Sequence, residues 1–164
     1  MARVFIALWP DDAVRSALAA WRDGWRWPRS ATPVRSERLH LTLHFIGDVP
    51  GDRIDEISYG LAVPCNPFVL TFGRNVLWPH GIAVLEPDTT PAPLIDLQST
   101  LADALRALAL PVDQRSFKPH VTLARRAASA SPANDGPSVD WAVDRYALMR
   151  SHPDHYEVVR EYCC

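Results

Sequence analysis

Three absences bound this sequence before any motif is read. There is no excess of positive charge: the formal net charge is −2 and the pI is near 6.3. Broad, sequence-independent nucleic-acid binding relies on a basic surface that neutralises many phosphates, so that class is disfavoured. A small basic cleft gripping one chain end stays open. There is no cysteine framework either. The three cysteines are Cys65 and the adjacent Cys163 and Cys164, an odd number with no CxxC or Cys/His spacing. That pattern points to neither a disulfide scaffold nor a zinc site, and makes a reducing cytoplasm the default. Long hydrophobic runs are missing as well. Val4 to Trp9 is too short for the core of a signal peptide, and nothing approaches a transmembrane length. With 164 residues, 48% of them hydrophobic and 22% charged, the chain suits one compact domain over residues 1–164, expected as a monomer away from membranes.

What is present is a motif that occurs twice. The stretch from His40 to Gly47 reads HLTLHFIG, and HVTL returns at His120 to Leu123. The copies lie 80 positions apart in a chain of 164. That spacing is the signature of an internal duplication into two lobes. The surroundings repeat too: His40 follows Asp11 by 29 positions and His120 follows Pro91 by 29. In each case an apolar strand precedes a helix that leads to the motif.

In LHLTLHF, Leu39, Leu41, Leu43 and Phe45 alternate with His40, Thr42 and His44, a period of two that predicts a strand. Successive side chains then point to opposite faces, so the leucines enter a core while His40 and Thr42 share the other face, about 7 Å apart. The second copy places Val121 and Leu123 inward and His120 and Thr122 outward. If the lobes face each other, two imidazoles and two hydroxyls converge on one cleft. Imidazole titrates near neutral pH, so one ring can remove a proton while the other supplies one. Threonine hydroxyls can donate to oxygens that carry charge at the reacting centre. Diester phosphoryl chemistry fits this set.

These residues resemble the two-histidine phosphoesterase superfamily. RVFIAL at Arg3 to Leu8, LHLTLHFIGDV at Leu39 to Val49, WPHGIAVLEP at Trp78 to Pro87 and FKPHVTLARRA at Phe117 to Ala127 are similar to the RNA 2',3'-cyclic phosphodiesterases, also called 2'-5' RNA ligases. The resemblance implies an α+β fold: two pseudo-symmetric lobes of antiparallel sheet, helices on the outside, and a central cleft between the two HxTL strands. It implies hydrolysis of an RNA terminal 2',3'-cyclic phosphate to a 2'-phosphate, without metal or cofactor, and reversible 2'-5' ligation. It also implies His40 as proton donor and His120 as proton acceptor, a direction that the two near-equivalent motifs leave undecided. Arg125 matches the arginine of an HxTLxR pattern and is assigned, with Thr42 and Thr122, to substrate phosphate. Arg126 and Arg115 are weaker candidates.

Alternatives stay open at this stage. The substrate could be a small nucleotide or ADP-ribose cyclic phosphate, or the chain could bind RNA ends without turnover. A mononuclear metal site at His40 and His44 is a distant third, because four positions along a strand separate them by about 13 Å. His44 is read as a rim or solvent-facing residue. Phe5, Phe45 and Trp78 could stack on a base, although such residues beside strands are more often core. His80, His152 and His155 have no partners identifiable from sequence.

The remaining elements read as a strand at Arg3 to Trp9, a helix from Pro10 and Asp11 to about Gly24, an irregular connection from Trp25 to Arg38, and a helix over Asp52 to Leu61. Strands are expected at Phe68 to Phe72 and around Ile82 to Leu85. A long helix begins near Pro91 and sets Leu94, Leu97, Leu101, Leu105 and Leu108 on one side. Arg125 to Ser138 is expected as a mobile loop, and Trp141 to Met149 and Tyr156 to Val159 as closing strands.

Overall fold

The computed structural model describes residues 1–164. Its strands are β1 (Ala2–Leu8), β2 (Thr32–Pro33), β3 (Leu41–Val49), β4 (Phe68–Trp78), β5 (Ile82–Pro87), β6 (Val121–Arg125), β7 (Val139–Val143), β8 (Arg145–Ser151) and β9 (Tyr156–Cys163). Three α-helices accompany them: α1 (Asp12–Asp23), α2 (Ile54–Gly60) and α3 (Ala92–Ala107). All strands join one curled antiparallel sheet in the order β7-β4-β5-β6-β3-β1-β8-β9, with β2 beside β6. The expected α+β class holds, and the two lobes are halves of one sheet. Their junction is narrow. β3 and β6 meet through the single pair Leu41 and Val121, each the residue after a motif histidine.

The helices form where their sequences allow a start. Asp11 caps α1, its carboxylate accepting from the Val14 amide at 2.9 Å. Leu18 and Trp21 then enter the core. Pro91 precedes α3, whose Leu94, Leu97, Leu101 and Leu105 are buried as the leucine spacing predicts. A single cluster of 35 buried residues runs through both halves of the sheet and these helices. A small second cluster of Phe5, Ala7, Ala147 and Met149 lies under Trp9 and Tyr156.

Several boundaries differ from the sequence reading. β3 runs through Gly47 to Val49 and stops before Pro50, with Gly47 at φ +94, where a side chain would be strained. β4 extends past Phe72 to Trp78. The stretch from Trp141 to Met149 is two strands, because the chain leaves β4 at Asp144 and crosses to β1. Thr32 and Pro33, read as irregular, pair with Arg125 and Ala124. The loop expected to be mobile is tied down: the Trp21 indole donates to the Pro137 carbonyl at 2.8 Å, and Asn75 to that of Ala133 at 3.1 Å.

The cysteine reading needs correction. Cys65 and Cys164 form a disulfide across 99 residues, and Cys163 is free and exposed. Pairing followed from topology rather than count. β9 runs back along β8, and one tyrosine from each strand docks on the end of α2 and the connection after it. The Tyr162 hydroxyl donates to Ser58 O at 2.6 Å and that of Tyr146 to Leu61 O at 2.8 Å. This brings the tail to Cys65, while strand alternation turns Cys163 the other way.

A bridge closing so long a loop restricts the unfolded chain strongly, by up to about 4.7 kcal/mol in the chain-entropy account. Cys65→Ser, or reduction of the intact protein, should therefore lower the denaturation midpoint measurably, whereas Cys163→Ser should leave it in place. Equal midpoints with and without reductant would contradict this.

Candidate active site

The motif strands carry the same local irregularity. Ala7 pairs with Thr42 and Ile6 with His44, so Leu43 is an extra residue on β3. Val84 pairs with Thr122 and Ala83 with Ala124, so Leu123 is an extra residue on β6. Such a bulge shifts every following side chain to the opposite face. The burial order from Leu41 to Phe45 and from Val121 to Arg125 is accordingly the same: buried, half-buried, buried, buried, exposed. Two consequences follow. Arg125 reaches the histidine face five positions after His120, which strict alternation would forbid. His44 is turned to the core face.

His44 lines the wall of the cavity that opens beside His120, as a rim residue would, but it is not solvent-facing. It is 5% exposed, and its Nε2–H donates to the Gln98 carbonyl of α3 at 2.7 Å. Burial lowers its pKa from the ordinary imidazole value. Phe45, at the position matching Arg125, is 52% exposed with the Arg3 guanidinium 5.0 Å from its ring.

The two motif histidines are held alike. His40 Nδ1 lies 2.6 Å from Arg38 O, and His120 Nδ1 lies 2.7 Å from Lys118 O, in each case the carbonyl two residues back. A carbonyl only accepts, so both Nδ1 atoms carry the proton and both Nε2 atoms are left for chemistry. The Thr42 hydroxyl stands 2.9 Å from His40 Nε2 and donates to it when the ring is neutral. Thr122 is half-buried, in register with Val84.

The surroundings of the rings differ. His40 sits among Phe5, Tyr156 and Trp9, with ring centroids 5.1, 5.5 and 6.0 Å away. His120 packs on Trp78 at 4.3 Å. Beside His120 and Thr42 opens a cavity of about 560 Å³ whose wall includes Phe45, Trp78, Gln98, Arg115 and Lys118. Of the candidate stacking residues, Phe5 is buried against His40, while Phe45 and Trp78 border this space. Arg115 is paired with Asp113 at 2.6 Å, and Arg126 is exposed with φ 55.

Burial pushes the His40 pKa down to about 4, the Arg38 carbonyl partly opposes this, and the cations Arg15, His120 and Arg125 push the same way as burial. His120 is also lowered by burial and by Arg125, but the Lys118 carbonyl and the Glu86 carboxylate pull it back up. In both rings burial favours the neutral form.

Sequence reasoning missed Trp9, Arg15, Glu86, Lys118 and Tyr156. Lys118 carried one usable signal, since it is the only lysine of the chain. The others sit just after β1 and on α1, β5 and β9, and reach the histidines only through sheet pairing and helix-to-loop contacts. His152 and His155, unpartnered in the sequence reading, meet Glu157 at 2.6 Å and Asp154 at 2.7 Å in the β8–β9 turn. His80 is exposed at the β4–β5 turn.

Comparison with known proteins gives the family and the fold. Residues 10–155 match the 2'-5' RNA ligase superfamily. The RNA 2',3'-cyclic phosphodiesterase of Thermus thermophilus is 30% identical, over 91% of this chain and 81% of its own length. That of Escherichia coli is 29% identical, over 91% and 86%. The crystal structure of E. coli LigT complexed with 3'-AMP superposes with a TM-score of 0.88 at 25% identity, covering 99% of this chain and 97% of that one. The crystal structure of TT0787 of Thermus thermophilus gives 0.77 at 27% identity, covering 98% and 97%.

The His40 shift has a consequence for stability. The unfolded chain takes a proton on this ring near pH 6.5, the folded chain only near 4, so acid favours the unfolded state through that window. The denaturation midpoint should fall between pH 6.5 and 4, and fall less in His40→Gln. Identical pH dependence in both proteins would contradict a depressed His40.

Proposed function

Given that the chain belongs to the 2'-5' RNA ligase superfamily, we propose that it opens 2',3'-cyclic phosphates at RNA ends by metal-independent acid–base catalysis. The observation that carries this reading is the pair of imidazoles, each fixed through Nδ1 on a backbone carbonyl, flanking the junction of the two half-sheets. The chain is accordingly read as a cyclic phosphodiesterase.

His120 Nε2 takes a proton from the attacking water as its oxygen bonds to phosphorus. The bond from phosphorus to the ribose 3' oxygen breaks, and His40, protonated at Nε2, supplies the proton that this oxygen needs. A 2'-phosphomonoester and a free 3'-hydroxyl remain. With a 5'-hydroxyl in place of water the same steps, in the same histidine roles, seal a 2'-5' linkage; run backwards, with the 3'-hydroxyl attacking that linkage and the 5' oxygen leaving, the histidines exchange roles.

A lowered pKa suits His40 to this role, since a more acidic imidazolium is a stronger proton donor to a poor leaving group. The incoming phosphate supplies the negative charge that loads the proton, offsetting Arg15 and Arg125. Arg125, Thr42 and Thr122 share the histidine face and hold the phosphate oxygens. The terminal nucleoside takes the neighbouring cavity, with Trp78 and Phe45 available to stack on its base.

That cavity also favours a second reading. At about 560 Å³ it has the size of a small-molecule site and accepts a single nucleotide, so a small cyclic nucleotide is a rival substrate. Competition between an oligonucleotide and a mononucleotide, both ending in cyclic phosphate, separates the two.

Turnover of an oligoribonucleotide ending in a 2',3'-cyclic phosphate, in excess EDTA with phosphorus NMR of the product, tests the proposal. His40→Ala and His120→Ala should each cost ~10²–10⁴ in rate. A p-nitrophenyl diester, whose leaving group needs no proton, should restore much of the His40→Ala loss and little of the His120→Ala loss. Dependence on added metal, or a 3'-phosphate product, would overturn the mechanism.

A further inference from the structure

The two halves of the cleft are alike in backbone and unlike in charge. Leu8 pairs with Leu41 and Leu85 with Val121, so the next residues outward, Trp9 and Glu86, stand opposite His40 and His120 on neighbouring antiparallel strands. Their local sequences correspond, Ala7-Leu8-Trp9-Pro10-Asp11 against Val84-Leu85-Glu86-Pro87-Asp88. One half therefore presents an indole to its histidine where the other presents a carboxylate.

The helices extend the difference. Arg15, four residues after the cap of α1, is half-buried with its guanidinium 4.5 Å from the Trp9 ring. It donates to Ser36 O at 2.7 Å, Leu39 O at 3.0 Å and Pro10 O at 3.3 Å. Those bonds hold both the segment that delivers His40 and the start of the helix after Trp9. The matching position of α3, four residues after Pro91, is Ile95, which is 51% exposed and carries no charge. Glu86 is half-buried, and its own cation, Arg74, is 3.7 Å away.

We propose that Arg15 and Glu86 are positioning residues that set the direction of proton flow: Arg15, through Trp9 and the 36–39 segment, keeps His40 the donor, and Glu86 keeps His120 the acceptor. This rests on the cyclic phosphodiesterase reading for its chemistry, but the asymmetry itself is a property of the folded chain.

Every charged or titratable neighbour enters the balance. His40 faces Arg15 from α1, Arg38 beside it in the chain, Tyr156 from β9, and Arg125 and His120 from β6. His120 faces Glu86 from β5, with Arg74 of β4 behind it, Lys118 beside it, Arg125, and His40 across the seam. Arg125 acts on both rings in one sense, so it cannot tell them apart. Arg15 acts on His40 and Glu86 on His120 in opposite senses, making one ring the stronger acid and the other the stronger base. That is the division of labour that ring opening requires.

The test combines histidine NMR titrations with pH–rate profiles of cyclic-phosphate opening for Glu86→Gln, Arg15→Gln and Arg15→Lys. Glu86→Gln, nearly isosteric, should lower the His120 midpoint and move the basic limb about one pH unit down. Arg15→Gln should raise the His40 midpoint and move the acid limb up, and Arg15→Lys should restore most of it. Midpoints and limbs that stay put in Glu86→Gln, whatever the loss of rate, would overturn the proposal, as would shifts that fall on the wrong histidine. The titrations need no substrate. An intact protein that leaves cyclic phosphates unopened would refute the functional reading, while the titrations alone would still decide the asymmetry.

Discussion

The site depends on one pairing, Leu41 with Val121, the only point at which the motif strands bond to each other. Because each partner directly follows a motif histidine, the bond that closes the sheet also sets the two imidazoles on either side of its seam. A strand pair fixes its neighbours to a few tenths of an ångström more cheaply than loops could. The buried leucines of both motifs lock this register from the core side, since a slip of one residue would turn all of them outward. Catalytic geometry and core packing are thus the same constraint seen from two faces.

Within that frame the backbone does most of the tuning. Carbonyls two residues upstream select the tautomer of both rings, and the bulge of the second motif lets Arg125 return to the histidine face. The aromatic neighbours of His40 limit its contact with water, which lowers its proton affinity and strengthens the charges that act on it. Cations supplied from α1 and β6 hold the cleft ready for an anion in a protein whose net charge is negative. A locally basic cleft on an acidic protein favours one phosphate end over a whole nucleic-acid backbone.

Much of this was legible in the sequence, for physical reasons that can be named. The helices announced themselves through Asp11, Pro91 and the leucine spacing of α3, and the repeated HxTL placed His40, Thr42, His120 and Thr122 on one kind of face. His44 was misread because a period of two carries no sign of a bulge, whose evidence lies in the partner strand. The same irregularity explains Arg125, which a motif could recognise but alternation could not. The disulfide escaped because pairing depends on where β9 ends, a tertiary fact that cysteine counting does not contain. Trp9, Arg15, Glu86 and Tyr156 act on the histidines only through cross-strand and helix-to-loop contacts, with sequence separations that no local pattern spans.

The central claim is that the two histidines act together on one phosphorus centre. Its most direct test is kcat/KM for cyclic-phosphate opening in His40→Ala, His120→Ala and the double variant. If the rings serve one transition state, removing the second after the first should cost little, and the double variant should be about as slow as the slower single one. Losses that multiply would mean that the histidines contribute independently, and would contradict the account.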